Sequence, residues 1–234
     1  NNVVGVALPS KYNTKESLVD ARLLAENLDI EFKVIEIEEI VNIFRNTLKE
    51  SVNDELGQTT DENIQSRVRG NILMALSNQT GAMVVSTGNK SEMAVGYSTL
   101  YGDLAGGFAL LKDLYKTEVY NLANFRNSIS SVIPQNTIDK EPSAELRPNQ
   151  LDKDSLPEYE LLDEILRMYI EEDSSSEKII SKGIDENIVY DVLSKVDRNE
   201  YKRKQVAPGV KLTEKAFGKD RRMPITNTYI RERG

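Results

Sequence analysis

The first part of the chain has a pattern of apolar and polar positions that predicts strands connected by helices. Residues 3–8 form an unbroken apolar run that ends at Pro9 and Ser10, which is typical of a buried strand followed by a polar loop. Apolar positions then recur at helical spacing over 17–28 and alternate with polar ones over 32–37, which predicts a helix and a second strand. Strands that alternate with helices favour a parallel α/β sheet with right-handed crossovers.

The same alternation continues towards the middle of the chain. A helix is predicted over 38–49, and a second one over 59–77 has apolar residues along one side. Thr59 lies three residues before Glu62, which is the spacing of a capping box, so we expect the second helix to begin there. Residues 82–85 are the third predicted strand.

Beyond residue 140 the pattern changes, because a stretch rich in Pro, Asp, Asn and Ser over 141–156 predicts a loop. Amphipathic segments follow it and predict helices over 157–171, 175–182 and 186–204. We therefore expect an α/β core over 1–150 and, over 151–234, a helical and basic segment that completes the same domain.

The 234 residues include no histidine and no cysteine, which excludes several kinds of site. Zinc sites of the usual ligands, thiolate nucleophiles and Ser-His-Asp triads all need one of these residue types. Any metal must be a hard cation bound by oxygen, which favours magnesium or calcium. Residues 1–10 lack a basic region followed by an apolar run, and the sequence has no run of about 18 apolar residues. We therefore expect a soluble cytoplasmic protein with neither a signal peptide nor a membrane segment.

Charge is distributed unevenly along the chain. From Tyr201 to Gly234 there are 10 Lys and Arg residues against 3 Asp and Glu residues, whereas the whole chain has a net charge of −8. A basic segment on an acidic body is typical of binding to a nucleic acid or to a small polyanion, and equally of a solvated helical end. No aromatic stacking platform accompanies the basic run, so we favour a nucleotide ligand over a nucleic acid.

The loop after the third predicted strand is the richest candidate for chemistry, because ligands of open parallel sheets bind where the strands end. In this loop Thr87 offers a hydroxyl, Gly88 allows close backbone approach, and the helix N-terminus that follows favours an anion. Glu92 comes five residues after Thr87, where a carboxylate could share a magnesium ion with that anion. Taken alone, Glu92 is more typical of an ordinary acid in a first helical turn.

Other polar residues could add contacts to a charged ligand. Asn63 and Arg67 lie four residues apart and therefore project from one helix face, and Lys202 or Arg203 could contribute from the basic segment. Lys116 opens another predicted helix, where a lysine is unfavourable unless an anion is bound nearby. The further candidates are the hydroxyl-rich stretch over 97–103 and the loop over 142–146.

Together these motifs make the chain resemble NAD synthetases. The resemblance rests on Ser86-Thr87-Gly88-Asn89-Lys90-Ser91-Glu92-Met93-Ala94-Val95-Gly96-Tyr97 and on Tyr101-Gly102-Asp103. Supporting segments lie at 63–70, 115–120, 142–148 and 199–203. The resemblance covers essentially all 234 residues, and the stretches over 201–203 and 216–222 are more similar to the glutamine-dependent enzymes than to the small ammonia-dependent type.

The resemblance implies a fold of the adenine nucleotide α-hydrolase-like, ATP-pyrophosphatase type, in which a parallel sheet is flanked by helices and followed by a helical appendage. It also implies a ligase of NAD biosynthesis that forms a carbon–nitrogen bond. In that reaction the nicotinate carboxylate of deamido-NAD attacks the α-phosphorus of ATP and releases pyrophosphate, and ammonia then converts the NAD-adenylate to NAD and AMP. The chemistry depends on charge neutralisation and in-line positioning, which suits a protein without histidine or cysteine.

The resemblance further implies roles for individual residues. ATP is expected to contact Thr87, Lys116 and Ser143. Glu92 is expected to hold Mg²⁺ and, with Lys116, to be catalytic. The residues expected to contact deamido-NAD are Asn63, Arg67, Glu92, Tyr97, Ser98, Thr99, Leu100 and Lys202. Leu100 stands where the ammonia-dependent type has a substrate-binding lysine, which is a further similarity to the glutamine-dependent type.

One motif of the family is absent from this sequence. The phosphate loop Ser-Gly-Gly-x-Asp-Ser should precede the strand over 3–8, and the chain does not contain it. We therefore expect the chain to be a portion of a longer synthetase. The alternatives are a catalytically inactive nucleotide-binding relative and an RNA-modifying relative of the ATP-pyrophosphatase type.

The nitrogen source and the assembly follow from the same resemblance. Because the chain has no cysteine, a glutaminase would have to lie in an upstream domain, and free ammonia is the other source. The resemblance and the amphipathic helix around Leu161–Tyr169 suggest a homo-oligomer, a dimer or higher, although that apolar stripe could also pack on the chain's own core.

Overall fold

A computed structural model of the chain describes residues 2–52 and 54–226. These residues form two compact units, each of which is built from two separate stretches of the chain. Unit 1 comprises the described residues of Asn1–Ile72 and Tyr120–Ser155, and unit 2 comprises those of Leu73–Val119 and Leu156–Gly234.

The strands and helices follow one another in the alternating order that the sequence predicts. In chain order they are β1 (Val4–Ala7), α1 (Lys15–Asn27), β2 (Glu31–Val34), α2 (Glu38–Val52), α3 (Gln58–Thr80), β3 (Val85–Ser86), α4 (Lys90–Val95), β4 (Phe108–Ala109), α5 (Lys116–Ile129), α6 (Gln135–Asp139), a single 3-10 turn (Asp152–Asp154), α7 (Tyr159–Ile170), α8 (Ser176–Ile180), α9 (Glu186–Arg198) and α10 (Glu200–Arg203).

In unit 1 the predicted strand–helix–strand at the start of the chain is confirmed. β1 and β2 pair in parallel, with Val4 opposite Glu31. The hydroxyl of Thr14 caps α1 by accepting a hydrogen bond from the backbone N–H of Ser17, which satisfies one of the free donors of the first turn. The apolar core of this unit includes Ile37, Val41, Ile64 and Val68.

The predicted capping box at the start of α3 is wrong. The backbone N–H of Asp61 donates to the carbonyl of Gly57, so the helical turn already includes Thr59, which therefore lies inside the helix. Glu62 instead accepts a hydrogen bond from the side-chain amide of Gln58 at 2.8 Å. The spacing of threonine and glutamate was right for the motif, but the helix begins one residue before it.

In unit 2 the strands are very short. β3 and β4 pair in parallel, with Val85 opposite Phe108 and Ser86 opposite Ala109. The third predicted strand therefore exists, but it begins at Val85 rather than at residue 82. β4 was not predicted, because two residues are too few to produce a recognisable alternation.

The core of unit 2 is mainly helical. α7 contributes a stripe that includes Leu162, Ile165, Leu166 and Tyr169, all of which are buried in the core of this unit. This stripe consequently packs on the chain's own core, and it is not evidence for an oligomer. The homo-oligomer itself stays a prediction.

Two other expectations concern the chain as a whole. Among the described residues, no helix has both the length and the apolar character that crossing a membrane requires. The predicted arrangement of an α/β core over 1–150 and a completing segment over 151–234 stays a prediction, and the end of the basic segment, 227–234, lies outside the described residues.

Candidate active site

The loop between β3 and α4 has the local structure that its sequence predicts for a site at the end of a strand. Thr87 is exposed in this loop, and Asn89 caps α4. The Asn89 side chain accepts a hydrogen bond from the N–H of Glu92 at 3.0 Å, and the N–H of Asn89 donates to the Glu92 carboxylate at 3.2 Å. This reciprocal capping box fixes the carboxylate of Glu92 at the start of the helix.

Glu92 and Lys116, the two residues predicted to be catalytic, are brought together in unit 2. Lys116 is the first residue of α5, as predicted, and its Nζ lies 3.0 Å from Oε1 of Glu92. Both side chains are only 20% exposed, and Nζ also lies 5.2 Å from the centre of the Tyr159 ring. The anion that the lysine was expected to need is therefore supplied, at least in part, by Glu92.

A metal ion at this place would find Glu92 but no cluster of acidic side chains among the described residues. Within residues 2–52 and 54–226, no group of three or more acidic side chains could hold a metal by itself. Mg²⁺ commonly binds through one or two carboxylates together with substrate phosphates and water, so one carboxylate matches a magnesium ion that arrives with a nucleotide. Each oxygen of Glu92 keeps a lone pair beyond its contact with Lys116 or Asn89.

The stretch predicted to contact deamido-NAD lies directly after α4. Lys202 donates to the carbonyls of Gly96 and Ser98, at 2.6 and 2.7 Å. The backbone N–H of Thr99, a buried residue, donates to Asp103 at 2.7 Å. Burial lowers the pKa of Lys202, and the charge of Asp103 opposes this shift only in part. The structure therefore brings Lys202 to the stretch over 97–100, where two backbone carbonyls hold its ammonium group.

The side chains of the segment 199–203 donate hydrogen bonds to three consecutive backbone carbonyls at the C-terminal end of α4. Asn199 donates to the carbonyl of Val95 at 3.0 Å, and the guanidinium of Arg203 donates to the carbonyl of Ala94 at 2.7 Å. With Lys202 on Gly96, these side chains satisfy carbonyls that would otherwise lack partners at the helix end. A cation near this end is also favoured by the helix dipole.

Gly96 is where this packing is closest, and an alanine there should be strongly destabilising. Its φ is 71°, and an added Cβ would lie 2.2 Å from Cγ and Oδ1 of Asn199. We expect Gly96→Ala to lower the free energy of unfolding by about 2–5 kcal/mol, from backbone strain and overpacking together. Gly81→Ala is the control, because Gly81 has a φ of 73° and open space around it. Urea denaturation that gave equal losses for both variants would contradict the close contact.

Asn63, Arg67 and Ser143, the remaining predicted site residues, lie in unit 1. Asn63 is half-buried and Arg67 is exposed on α3. The hydroxyl of Ser143 donates to the carbonyl of Gln150 at 2.5 Å and accepts the N–H of Glu145 at 3.1 Å. Ser143 thus belongs to an ordered loop, and its expected contact with ATP stays a prediction.

Glu145 lies in the candidate loop over 142–146, and it is a well-connected residue of unit 1 to which the sequence interpretation gave no role of its own. Its carboxylate accepts hydrogen bonds from Asn13 at 2.8 Å, from Ser17 at 2.6 Å and from Lys140 at 2.6 Å. Burial raises the pKa of Glu145, but these donors outweigh burial and hold the pKa below its usual value. The left-handed φ of 49° marks the residue as unusual only once the structure is known.

Most of the basic segment that the structure describes is engaged inside unit 2. Lys211 pairs with Asp220 at 2.8 Å, and Lys215 pairs with Asp173. The guanidinium of Arg221 lies 4.2 Å from the centre of the Tyr169 ring. These contacts favour the alternative in which much of the positive charge stabilises the fold.

The chain is similar to known proteins along nearly its whole length. A model of the NAD synthase family matches residues 1–206. A glutamine-dependent NAD(+) synthetase of Aquifex aeolicus is 54% identical over 230 residues, which are 98% of this chain and 41% of that protein. The structure of glutamine-dependent NAD+ synthetase from Acinetobacter baumannii in complex with ADP is 47% identical, with a TM-score of 0.57 over 95% of this chain and 40% of that one.

A third comparison concerns the fold alone. The crystal structure of a glutamine-dependent NAD(+) synthetase from Cytophaga hutchinsonii has a TM-score of 0.79 at 23% identity and covers 96% of this chain and 38% of that chain. The predicted adenine nucleotide α-hydrolase-like fold is thereby confirmed, as is the resemblance to the glutamine-dependent type. The chain spans about two fifths of the length of these relatives. On the family match and the sequence identity together, the chain belongs to the NAD synthase family.

Proposed function

We propose that the protein carrying this chain is a ligase that amidates deamido-NAD to NAD at the expense of ATP, releasing AMP and pyrophosphate. The observation that carries the proposal is the 3.0 Å contact between Glu92, in the motif over 86–97, and Lys116, in the supporting segment over 115–120. The names of the relatives support the choice of reaction, since those at about half identity are glutamine-dependent NAD(+) synthetases.

In the first step, one carboxylate oxygen of the nicotinate group attacks the α-phosphorus of ATP, and the bond to pyrophosphate breaks. Negative charge increases on the phosphate oxygens as this happens, so a fixed cation lowers the barrier. Lys116 is that cation, because its backbone is fixed at the start of α5 and its ammonium is oriented by Glu92. Thr87 is proposed as a hydroxyl contact to ATP from the exposed loop after β3.

In the second step, ammonia attacks the carboxyl carbon of the adenylate, AMP leaves, and a proton is lost from the nitrogen. We assign the stretch Tyr97, Ser98, Thr99 and Leu100 to the dinucleotide. Lys202 fixes the backbone at Ser98, within this stretch, and at Gly96, directly before it. The third N–H of its ammonium group is the one proposed to reach deamido-NAD.

Mg²⁺ is proposed to accompany ATP. Glu92 would be its protein ligand, and the bound ion would neutralise phosphate charge. Glu92 would then share its carboxylate between the ion, Lys116 and the capping contact with Asn89.

The wider context of the reaction is proposed on the family resemblance. The ammonia is either free or supplied by a glutaminase outside this chain, since the chain contains no cysteine. We further propose that the protein is cytoplasmic and that it forms a homo-oligomer.

The experiment that tests the function is product analysis with the natural protein that carries this chain. Incubation with deamido-NAD, ATP, Mg²⁺ and either ammonium or glutamine should give NAD, AMP and pyrophosphate in equal amounts. ADP and phosphate as products would contradict adenylation. ATP binding without any turnover would instead support the inactive nucleotide-binding alternative.

A further inference from the structure

Asp163 is a buried carboxylate of α7 that no part of the proposed mechanism uses. The residue is only 2% exposed. Its Oδ1 accepts a hydrogen bond from the hydroxyl of Ser91. Its Oδ2 accepts two more from Thr117, one from the backbone N–H at 2.9 Å and one from the hydroxyl at 2.8 Å. One carboxylate therefore joins α7 to the first turns of both α4 and α5.

The residues that Asp163 holds are the immediate neighbours of the two proposed catalytic side chains. Ser91 directly precedes Glu92, and Thr117 directly follows Lys116. The hydroxyl of Ser91 also accepts the backbone N–H of Lys116 at 2.9 Å. The starts of α4 and α5 are thus connected by a continuous set of hydrogen bonds, and the Glu92–Lys116 contact lies beside it.

Asp163 is a carboxylate at a buried position of α7 whose buried neighbours along the helix are apolar. It lies on the buried side of α7 among residues such as Leu162 and Leu166, and burial raises its pKa despite the hydrogen bonds from Ser91 and Thr117. Burying a carboxylate costs free energy unless its oxygens accept hydrogen bonds. Here they satisfy donors at the start of α5 that would otherwise be unpaired.

We propose that Asp163 is a positioning residue, which sets the separation of Glu92 and Lys116 by binding Ser91 and Thr117 at the same time. The inference rests on the proposed function, because it assigns to Asp163 the geometry of that site. The side chain acts through its neighbours and touches neither substrate. Displacements of about 1 Å at a reacting centre can reduce rates by about 10²-fold, so the loss of a positioning residue can have a large effect on kcat.

The test compares kcat for NAD formation among variants of the natural protein, per folded molecule and below the unfolding temperature. Asp163→Ala should reduce kcat roughly 10- to 100-fold. Asp163→Asn should keep most of the activity, because its amide oxygen can still accept both hydrogen bonds from Thr117 and its NH2 group can donate to the hydroxyl oxygen of Ser91. A loss in the asparagine variant equal to that in the alanine variant would overturn the assignment.

A double-mutant cycle separates positioning from a general loss of stability. In a Lys116→Met background, Asp163→Ala should change kcat by no more than about twofold, because the ammonium group whose distance from Glu92 it sets is already gone. The control is Asp197→Ala, which removes another buried aspartate of unit 2, one that accepts a hydrogen bond from Tyr169 at 2.7 Å. That variant should lose stability but keep its kcat.

The outcomes of this test distinguish the inference from the function beneath it. If the wild-type protein forms no NAD, the proposed function fails. If the wild type is active but Asp163→Ala and Asp197→Ala have the same kcat, only the positioning inference is overturned. Full additivity of Asp163→Ala with Lys116→Met would overturn it as well.

Discussion

Replacing Lys116 with methionine should lower kcat for NAD formation by about 10²- to 10³-fold, the range found when one fixed donor to a developing charge is removed. Nζ of Lys116 lies 3.0 Å from Oε1 of Glu92. In the proposed mechanism its positive charge stabilises the negative charge that forms on the α-phosphate. Methionine keeps most of the apolar length of the side chain but removes the ammonium group. Steady-state assays at saturating deamido-NAD would measure the effect.

Lys178→Met is the matched control for this change. Lys178 lies in α8 of the same unit, and its side chain is exposed, so the same substitution there should leave kcat unchanged. Lys116→Arg should retain part of the activity, because it keeps the charge but changes its shape. A Lys116→Met protein with normal kcat would remove this residue from the mechanism.

Lys90→Met should be the most destabilising of the substitutions considered for this chain, with a loss of about 3–5 kcal/mol in the free energy of unfolding. Lys90 is fully buried, and its Nζ lies 3.1 Å from Asp113 and 3.0 Å from Glu171. It also donates to the hydroxyl of Thr213 at 2.5 Å and to the carbonyl of Lys215 at 3.0 Å. Methionine would fill the space but leave the carboxylate of Asp113, which is 2% exposed, without its cation.

The pH dependence of the Lys90→Met loss follows from Asp113. Burial by itself raises the pKa of Asp113, but the N–H groups of Thr213 and Leu212 and the charge of Lys90 outweigh it and hold the pKa below its usual value. Asp113 therefore stabilises the wild type above its unfolded-state pKa of about 3.9, and this contribution is lost as the pH falls through the lower folded-state pKa. Without Lys90 the folded-state pKa rises, so the deficit should be largest at neutral pH and shrink in acid.

Lys195→Met provides the comparison for a surface ion pair. Lys195 lies 2.6 Å from Asp191 on α9, but the two side chains are 32% and 56% exposed. The change should cost no more than about 1 kcal/mol. Urea denaturation at several pH values would measure both variants, and equal losses for Lys90→Met and Lys195→Met would contradict the buried network.

The sequence was sufficient to predict those strands and helices that extend over several residues and have a regular apolar pattern. The first strand–helix–strand was predicted because its apolar runs are several residues long and end at polar loops. β4 was missed because it has two residues, and the start of α3 was placed at Thr59 because a capping motif there competes with a helix that begins at Gln58. The stripe of α7 was correctly predicted as apolar, but a pattern cannot tell whether it faces its own core or another subunit.

For the candidate site, the sequence indicated individual residues but not the contacts between them. Glu92 and Lys116 came from motifs, and their contact needed the structure, because 24 residues separate them. Asp163 was missed although the sequence contains a signal for it, namely an acidic residue four positions after Tyr159 on the apolar side of a helix. The burial of Lys90 had no such signal, since its partners Asp113 and Glu171 are distant in sequence.

The central claim, that the carboxylate of deamido-NAD is activated by adenylation, is tested most directly by isotope transfer. Deamido-NAD labelled with ¹⁸O in both oxygens of its nicotinate carboxylate is converted by the natural protein that carries this chain, with ATP and ammonium. Adenylation predicts one ¹⁸O in the phosphate of AMP, one in the carboxamide of NAD, and none in pyrophosphate. Unlabelled AMP, or label in inorganic phosphate, would contradict the account.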